Sequence, residues 1–245
     1  MIIAASSRSH ERFATTRWSM VMHPDAPGSS DSSRALDELV RGYWYPVYAY
    51  IRHCGHGADA ADGITRTFLA QLLRRCRDGL EQPRQGDFRR FLLDELNRFL
   101  GGDWRDAVAE EVENELQAPP GLEERNRRDN ADAASPEQAY LHSFALEVIA
   151  RALQRLQSEA RQNGHDDMYR ALLPYLGRDP VAGVLEKTAA LLKVPPLTIV
   201  VALKRLRQRF RELTSLELAD TVNSPEDLAD EQAALHAALR GTQNP

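Results

Sequence analysis

The sequence predicts an all-α protein of two helical domains, the second ending in a helix-turn-helix, joined by a flexible acidic linker. Three observations carry this. Apolar residues recur at three- and four-residue spacing through most of the 245 residues, the period of helices with one buried face. Strand signals are almost absent, since the β-branched residues of Thr198–Val201 lie inside a helical pattern. Gln117–Asp132 is rich in charge, contains Pro119, Pro120 and Gly121, and has too little apolar surface to fold by itself.

In chain order, residues 1–33 form an N-terminal arm ending in the polar spacer Ser29–Ser33. Arg34–Arg52 has apolar groups at helical spacing interrupted at Pro46, which predicts a helix pair joined near that proline. His53–Gly57 is a glycine-bounded turn. An amphipathic helix over Ala58–Arg77 turns Ile64, Phe68, Leu72 and Leu73 inward. A fourth helix over Gly86–Trp104 buries Phe88, Phe91, Leu92, Leu96, Phe99 and Leu100, closing a first domain at 34–106. The linker spans 107–137. Ser135-Pro136-Glu137 has the residues of a helix start, and it opens a helix over Gln138–Ala160 with Phe144, Val148, Leu153 and Leu156 inward. A further helix, Asp167–Leu176, leads into the last motif of a second domain at 138–216.

That motif is Val184–Leu213. Leu185, Ala189 and Leu192 share one apolar face, and Lys193, Val194 and Pro195 break the helix, because Pro195 and Pro196 suit a turn and a first helical position but not a helix interior. A longer helix follows with Ile199, Leu203, Leu206 and Phe210 inward and Lys204, Arg205, Arg207, Gln208, Arg209 and Arg211 over the rest of its surface. One apolar face with clustered guanidinium groups suits a phosphate-lined groove, so the pair reads as a DNA-binding helix-turn-helix. The competing reading is an ordinary antiparallel helix pair with a solvated basic face. In the tail, 217–245, Ser224-Pro225-Glu226 followed by Leu228, Ala229, Gln232, Leu235, Ala238 and Leu239 predicts a capped amphipathic helix completing the second domain's core, or alternatively an acidic cover over the basic helix.

The net charge of −5 conceals segregation. Val184–Thr214 holds seven basic residues against two acidic ones, whereas Asp106–Glu137 holds ten acids and three arginines. The acidic stretches would repel a nucleic-acid backbone, confining contacts to the modules on either side. The start lacks a basic region followed by an apolar run and cleavage site, and no segment is apolar enough to span a bilayer, so a cytoplasmic protein with no membrane association is expected. Cys54 and Cys76 are too few for a disulfide framework. No catalytic constellation or cofactor motif is present, and an enzyme is not expected. His53, Cys54, His56 and Cys76 match no standard zinc spacing, so no metal is expected.

Several separated motifs together resemble the extracytoplasmic-function sigma factors, small initiation factors of bacterial RNA polymerase. They are Phe13-Ala14-Thr15-Thr16-Arg17-Trp18-Ser19, the aromatic run Tyr43–Arg52, Phe88–Leu93, the basic helix Arg205–Leu213 and the tail Leu216–Leu239. The resemblance implies that the first domain is sigma domain 2, which grips the clamp helices of the polymerase's largest subunit and melts the −10 element. It implies that the second is sigma domain 4, which reads the −35 element of promoter DNA. The implied DNA contacts are Thr198, Val201, Lys204, Arg205, Arg207 and Gln208, with Arg98 and Arg105 in the first domain.

The chain also departs from that family. Where typical members carry three acids on the polymerase-binding helix it has Ala60, Gly63 and Thr67, and Arg66 adds a positive charge there. Asp59 and Asp62 are displaced by one position, about 100° around a helix. Phosphorylation of Thr67, or of Thr65, by a serine/threonine kinase would restore about −1.5 to −2 charges and three acceptor oxygens, and the resemblance implies such activation, because some branches lacking these acids are kinase-activated. Asp94, Glu95, Gly101, Gly102 and Val200 also stand where the family favours other residue types. The alternatives are a sigma-like, phosphorylation-dependent binding protein that no longer initiates transcription, and an unrelated helix-turn-helix repressor.

Overall fold

The structure, a computed structural model, describes residues 30–78, 87–109, 116–222 and 224–241. The Phe13–Ser19 motif lies outside them. Among the described residues the fold is all-α, without strands: α1 (Ser30–Gly42), α2 (Trp44–His53), α3 (Ala58–Arg77), α4 (Phe88–Leu100), α5 (Trp104–Ala109), α6 (Leu122–Asp129), α7 (Pro136–Gln162), α8 (Asp166–Leu172) with a 3₁₀ turn at Leu173–Tyr175, α9 (Val184–Leu192), α10 (Pro196–Ala219) and α11 (Pro225–Gly241). No helix among them is long and apolar enough to cross a membrane.

The chain divides into two compact units, 1–147 with 218–245, and 148–217. The second unit begins ten residues after the expected start at 138 and ends within one residue of the expected end at 216. The first unit is built around α2, in which every residue from Trp44 to Ile51 is buried. The break before α2 falls at Tyr43, three residues ahead of Pro46. A proline ring clashes with the carbonyl four residues before it, so an unbroken helix cannot run through Gly42, whereas Pro46 in the first turn of α2 needs no donor. Tyr43 then fills the core, edge-on to Phe88 at 4.9 Å and stacked on Phe144 at 5.2 Å.

The expected flexible linker is corrected by α6. Leu122 and Asn126 are buried, and the charges that argued against folding are taken up by α2. Arg52 donates to both oxygens of Glu123 at 2.7 and 2.8 Å, and the Tyr48 hydroxyl donates to Glu123 at 2.7 Å. Tyr45 donates to Asp129 at 3.1 Å, beneath the guanidinium of Arg125 at 3.9 Å from its ring. Buried Asn130 closes the segment, donating to the Tyr45 hydroxyl and to Ser143 Oγ. A stretch too polar to make its own core is thus held by polar partners from another helix.

The tail is corrected too. α11 starts on Ser224, whose Oγ accepts from the Asp227 amide at 3.0 Å, an N-cap. It does not complete the second unit's core: α11 belongs to the first unit, where Glu231 is 1% exposed and paired with Arg89 of α4. The second unit has two adjoining cores, Ala152, Leu156, Tyr169 and Leu213 in one, Leu172, Ala189, Ile199 and Leu203 in the other.

Candidate nucleic-acid interface

Within the second unit, α9 and α10 form the predicted helix-turn-helix. The turn is made by Lys193, at φ 55° and ψ 42°, whose left-handed backbone lets the Val194 amide reach the Ala189 carbonyl at 3.0 Å. This is an αL helix terminus occupied by a residue other than glycine. Pro196 opens α10 without wasting a donor, and the Thr198 amide is taken by the Pro195 carbonyl at 2.9 Å. Ile199 and Leu203 anchor the helix while Thr198, Val201, Lys204 and Arg205 face solvent. Leu191 and Leu197 are also exposed, at 78% and 72%.

The cations of α10 fall into two groups. Lys204 and Arg205 have no ion-pair partner among the described residues. Arg207, expected as a phosphate contact, is instead structural. Its Nη2 donates to the carbonyls of Tyr175 at 2.8 Å and Arg178 at 2.6 Å and to Asp179 at 3.0 Å, and Nε donates to Tyr175 at 3.1 Å. It caps the carbonyls left open after the 3₁₀ turn. Arg209 is likewise committed, donating to Glu159 at 2.7 and 2.8 Å and to Glu212 at 3.0 Å. Those bonds hold the Glu159 carboxyl below its ordinary range. Gln208 is exposed but tied to Glu212 at 3.0 Å, and it accepts from Arg211 at 3.1 Å.

In the first unit, Arg98 is paired with Glu95, a carboxylate only 4% exposed that also faces Arg75 at 3.6 Å. This removes Arg98 from the set of free cations. Arg105 remains exposed, its guanidinium 4.7 Å from the centroid of the Trp104 ring. Trp104 in turn meets His56 edge-on at 5.2 Å.

The α3 face nominated for polymerase binding is divided. Ala60 is exposed and Thr67 half-buried. A Cβ added at Gly63 would lie 3.8 Å from Val108, so α5 packs over this part of α3. Arg66 is joined to Asp62 at 2.7 Å, which cancels the extra positive charge locally. Thr65 has 0% exposure and its hydroxyl donates to the Ala61 carbonyl at 2.7 Å. That overturns Thr65 as a modification site, because no kinase reaches a hydroxyl sealed inside a helical core. Thr67 shows no hydrogen bond of its hydroxyl among the described residues.

His53 engages the carbonyls of Ala49 at 2.9 Å and Asn130 at 3.1 Å through its two ring nitrogens, which leaves neither for a metal. No group of three or more metal-ligand side chains occurs among the described residues. Burial pushes the Cys54 thiol up, away from reactive thiolate. The residues that periodicity alone did not single out are Leu191 and Leu197. Leu191 stands off the Leu185, Ala189, Leu192 stripe, and that displacement is the available signal.

No family model, curated protein or solved structure matches the chain.

Proposed function

We propose that the protein is an alternative sigma factor of bacterial RNA polymerase, acting in the cytoplasm and directing promoter-specific initiation without catalytic activity of its own. The observation that carries this reading is the sorting of cations along α10. Arg207 and Arg209 are consumed within the fold, while Lys204 and Arg205 have no ion-pair partner among the described residues and lie beside exposed Thr198 and Val201. Two cations flanking a polar and an aliphatic residue on the exposed side of a helix-turn-helix suit phosphate positioning with base-edge contact. In the first unit, the aromatic and cationic group Trp104 and Arg105 offers a stacking surface for an unpaired base.

Phosphorylation belongs to this proposal at Thr67 alone. A phosphate there adds the charge that Ala60 and Gly63 do not supply on the face meant for the clamp helices. A second reading, a sigma-like protein that binds partners under phosphorylation but no longer initiates, is favoured by the packing of α5 over Gly63. Transcription reconstituted with core polymerase, before and after kinase treatment, separates the two. Start-site-specific transcript after treatment supports the sigma reading. Core binding without transcript supports the second, and DNA binding without core enzyme points to a repressor.

A further inference from the structure

Beside the DNA-facing side of α10 lies an apolar groove of about 720 Å³, wholly within the second unit. That volume falls in the range of small-molecule sites. Buried Leu156, Tyr169 and Leu172 form part of its lining, and Met168, Val201 and Leu206 extend it. Its lining residues on α10 run from Leu197 to Arg209, about 18 Å at the helical rise. An elongated, mostly aliphatic lining whose aromatic rings are those of Tyr169 and His165 suits an alkyl chain better than a planar ring system.

Charge selects the head group. Glu159, Arg205 and Arg209 are the acidic and guanidinium groups of the lining. Glu159 and Arg209 neutralise each other through two hydrogen bonds at 2.7 and 2.8 Å. Arg205, exposed on the rim, has no such counter-charge among the described residues. A guanidinium accepts a carboxylate in a two-pronged geometry that neither an alcohol nor a cation can reproduce.

We propose that this groove binds a long-chain carboxylate, its alkyl chain laid over Leu156, Met168, Leu172 and Leu206 and its head group paired with Arg205. The occupant would cover Thr198, Val201 and Arg205, so ligand and promoter DNA exclude each other. That consequence, unlike the binding itself, rests on the function proposed above.

The test uses the full chain and sodium tetradecanoate, titrated below its micelle concentration by calorimetry and by displacement of a fluorescent alkyl probe. One saturable site is expected, with tetradecanol bound about tenfold more weakly because it lacks the charged pair. Tetradecyltrimethylammonium should not compete. Arg205→Gln should lower tetradecanoate affinity to the level of the alcohol and leave the alcohol unchanged. Val201→Asp, at an exposed position, should abolish binding of both while circular dichroism stays native. Absence of saturation, equal binding of the cation, or indifference to Arg205→Gln overturns the proposal. So does a concentration-dependent dimer that Val201→Asp dissolves, since a second copy would then be the occupant. Promoter DNA provides the separating arm. With core polymerase present, tetradecanoate binding without promoter binding retains the site and removes the sigma reading, whereas core-dependent promoter binding without tetradecanoate binding does the reverse.

Discussion

Arg89 and Glu231, 142 positions apart, meet inside the first unit through both carboxylate oxygens, at 2.9 and 3.0 Å from Nε, with their side chains 11% and 1% exposed. A pair this buried contributes little over an apolar substitute, but losing one member leaves a charge stranded. Glu231→Ala is expected to destabilise the first unit by about 3–5 kcal/mol. Removal of α11 should cost at least as much. Urea unfolding followed by far-ultraviolet circular dichroism measures both, and an unchanged midpoint in either variant removes α11 from the fold's support.

Glu123 sets a pH dependence. Hydrogen bonds from Arg52, foremost, and from Tyr48 hold its carboxyl at about 2 against an ordinary 4.5. A carboxyl held down in the folded state adds stability above its unfolded value, and that stability is lost as pH falls through the window between the two. The first unit should therefore lose about 1–2 kcal/mol between pH 4.5 and pH 2 on this account, allowing for the screening of a pair about one-fifth exposed. Glu123→Gln should be less stable at neutral pH and should lack that part of the acid-dependent loss, which denaturation midpoints across pH would record.

Arg207 and Arg205 should fail in different assays. Arg207→Ala strands the carbonyls of Tyr175 and Arg178 and is expected to cost about 1–3 kcal/mol of stability, with no change in the salt dependence of DNA binding. Arg205→Ala or Lys204→Ala should leave the melting temperature alone and reduce the slope of log K against log salt by about one each. Filter binding or anisotropy with core polymerase present, over a salt series, distinguishes them; an Arg207 variant with a reduced slope would return that residue to the interface.

The two threonines of α3 are separated by burial. Phosphosite mapping from induced cells should find phosphate on Thr67 and none on Thr65, whose hydroxyl is bonded to Ala61 within the core. Thr67→Ala should abolish kinase-dependent core binding, while Thr65→Ser, which keeps the hydroxyl, should not. A phosphate on Thr65 would require α3 to open.

Acids restored on that face should not be equivalent. Ala60→Asp is exposed and should fold normally, raising core affinity at low salt more than at high salt. Gly63→Asp sets a Cβ 3.8 Å from Val108 and a charge beside the apolar contact of α5, and should raise core affinity less than Ala60→Asp while loosening α5, seen as a red shift in emission from Trp104. If the Gly63 variant keeps wild-type emission and stability, α5 does not pack on α3.

The helices themselves were legible because periodicity is local. α3 begins and ends at the expected residues, and the turn between α9 and α10 follows from Pro195 and Pro196. Partners were not legible. Nothing in Gln117–Asp132 announces that Glu123 will find Arg52 and Tyr48, which lie 71 and 75 positions away. Composition therefore reads as a linker what tertiary pairing makes a helix. The cations of α10 were visible as a cluster, but their division into structural and free depended on carbonyls and carboxylates of other segments. For α11, spacing showed an apolar stripe and missed Glu231, because a buried acid is recognisable only beside its arginine.

Because residues 218–245 belong to the first unit and 148–217 form the second, the lobe that begins first in the chain closes last during synthesis. Residues 148–217 can become compact on the ribosome while Arg89 still waits for Glu231. A nascent or clipped chain would then display the helix-turn-helix without a finished first lobe. Proteolysis between α10 and α11 would fall within the first unit's own C-terminal segment and break the chain continuity between Arg89 and Glu231.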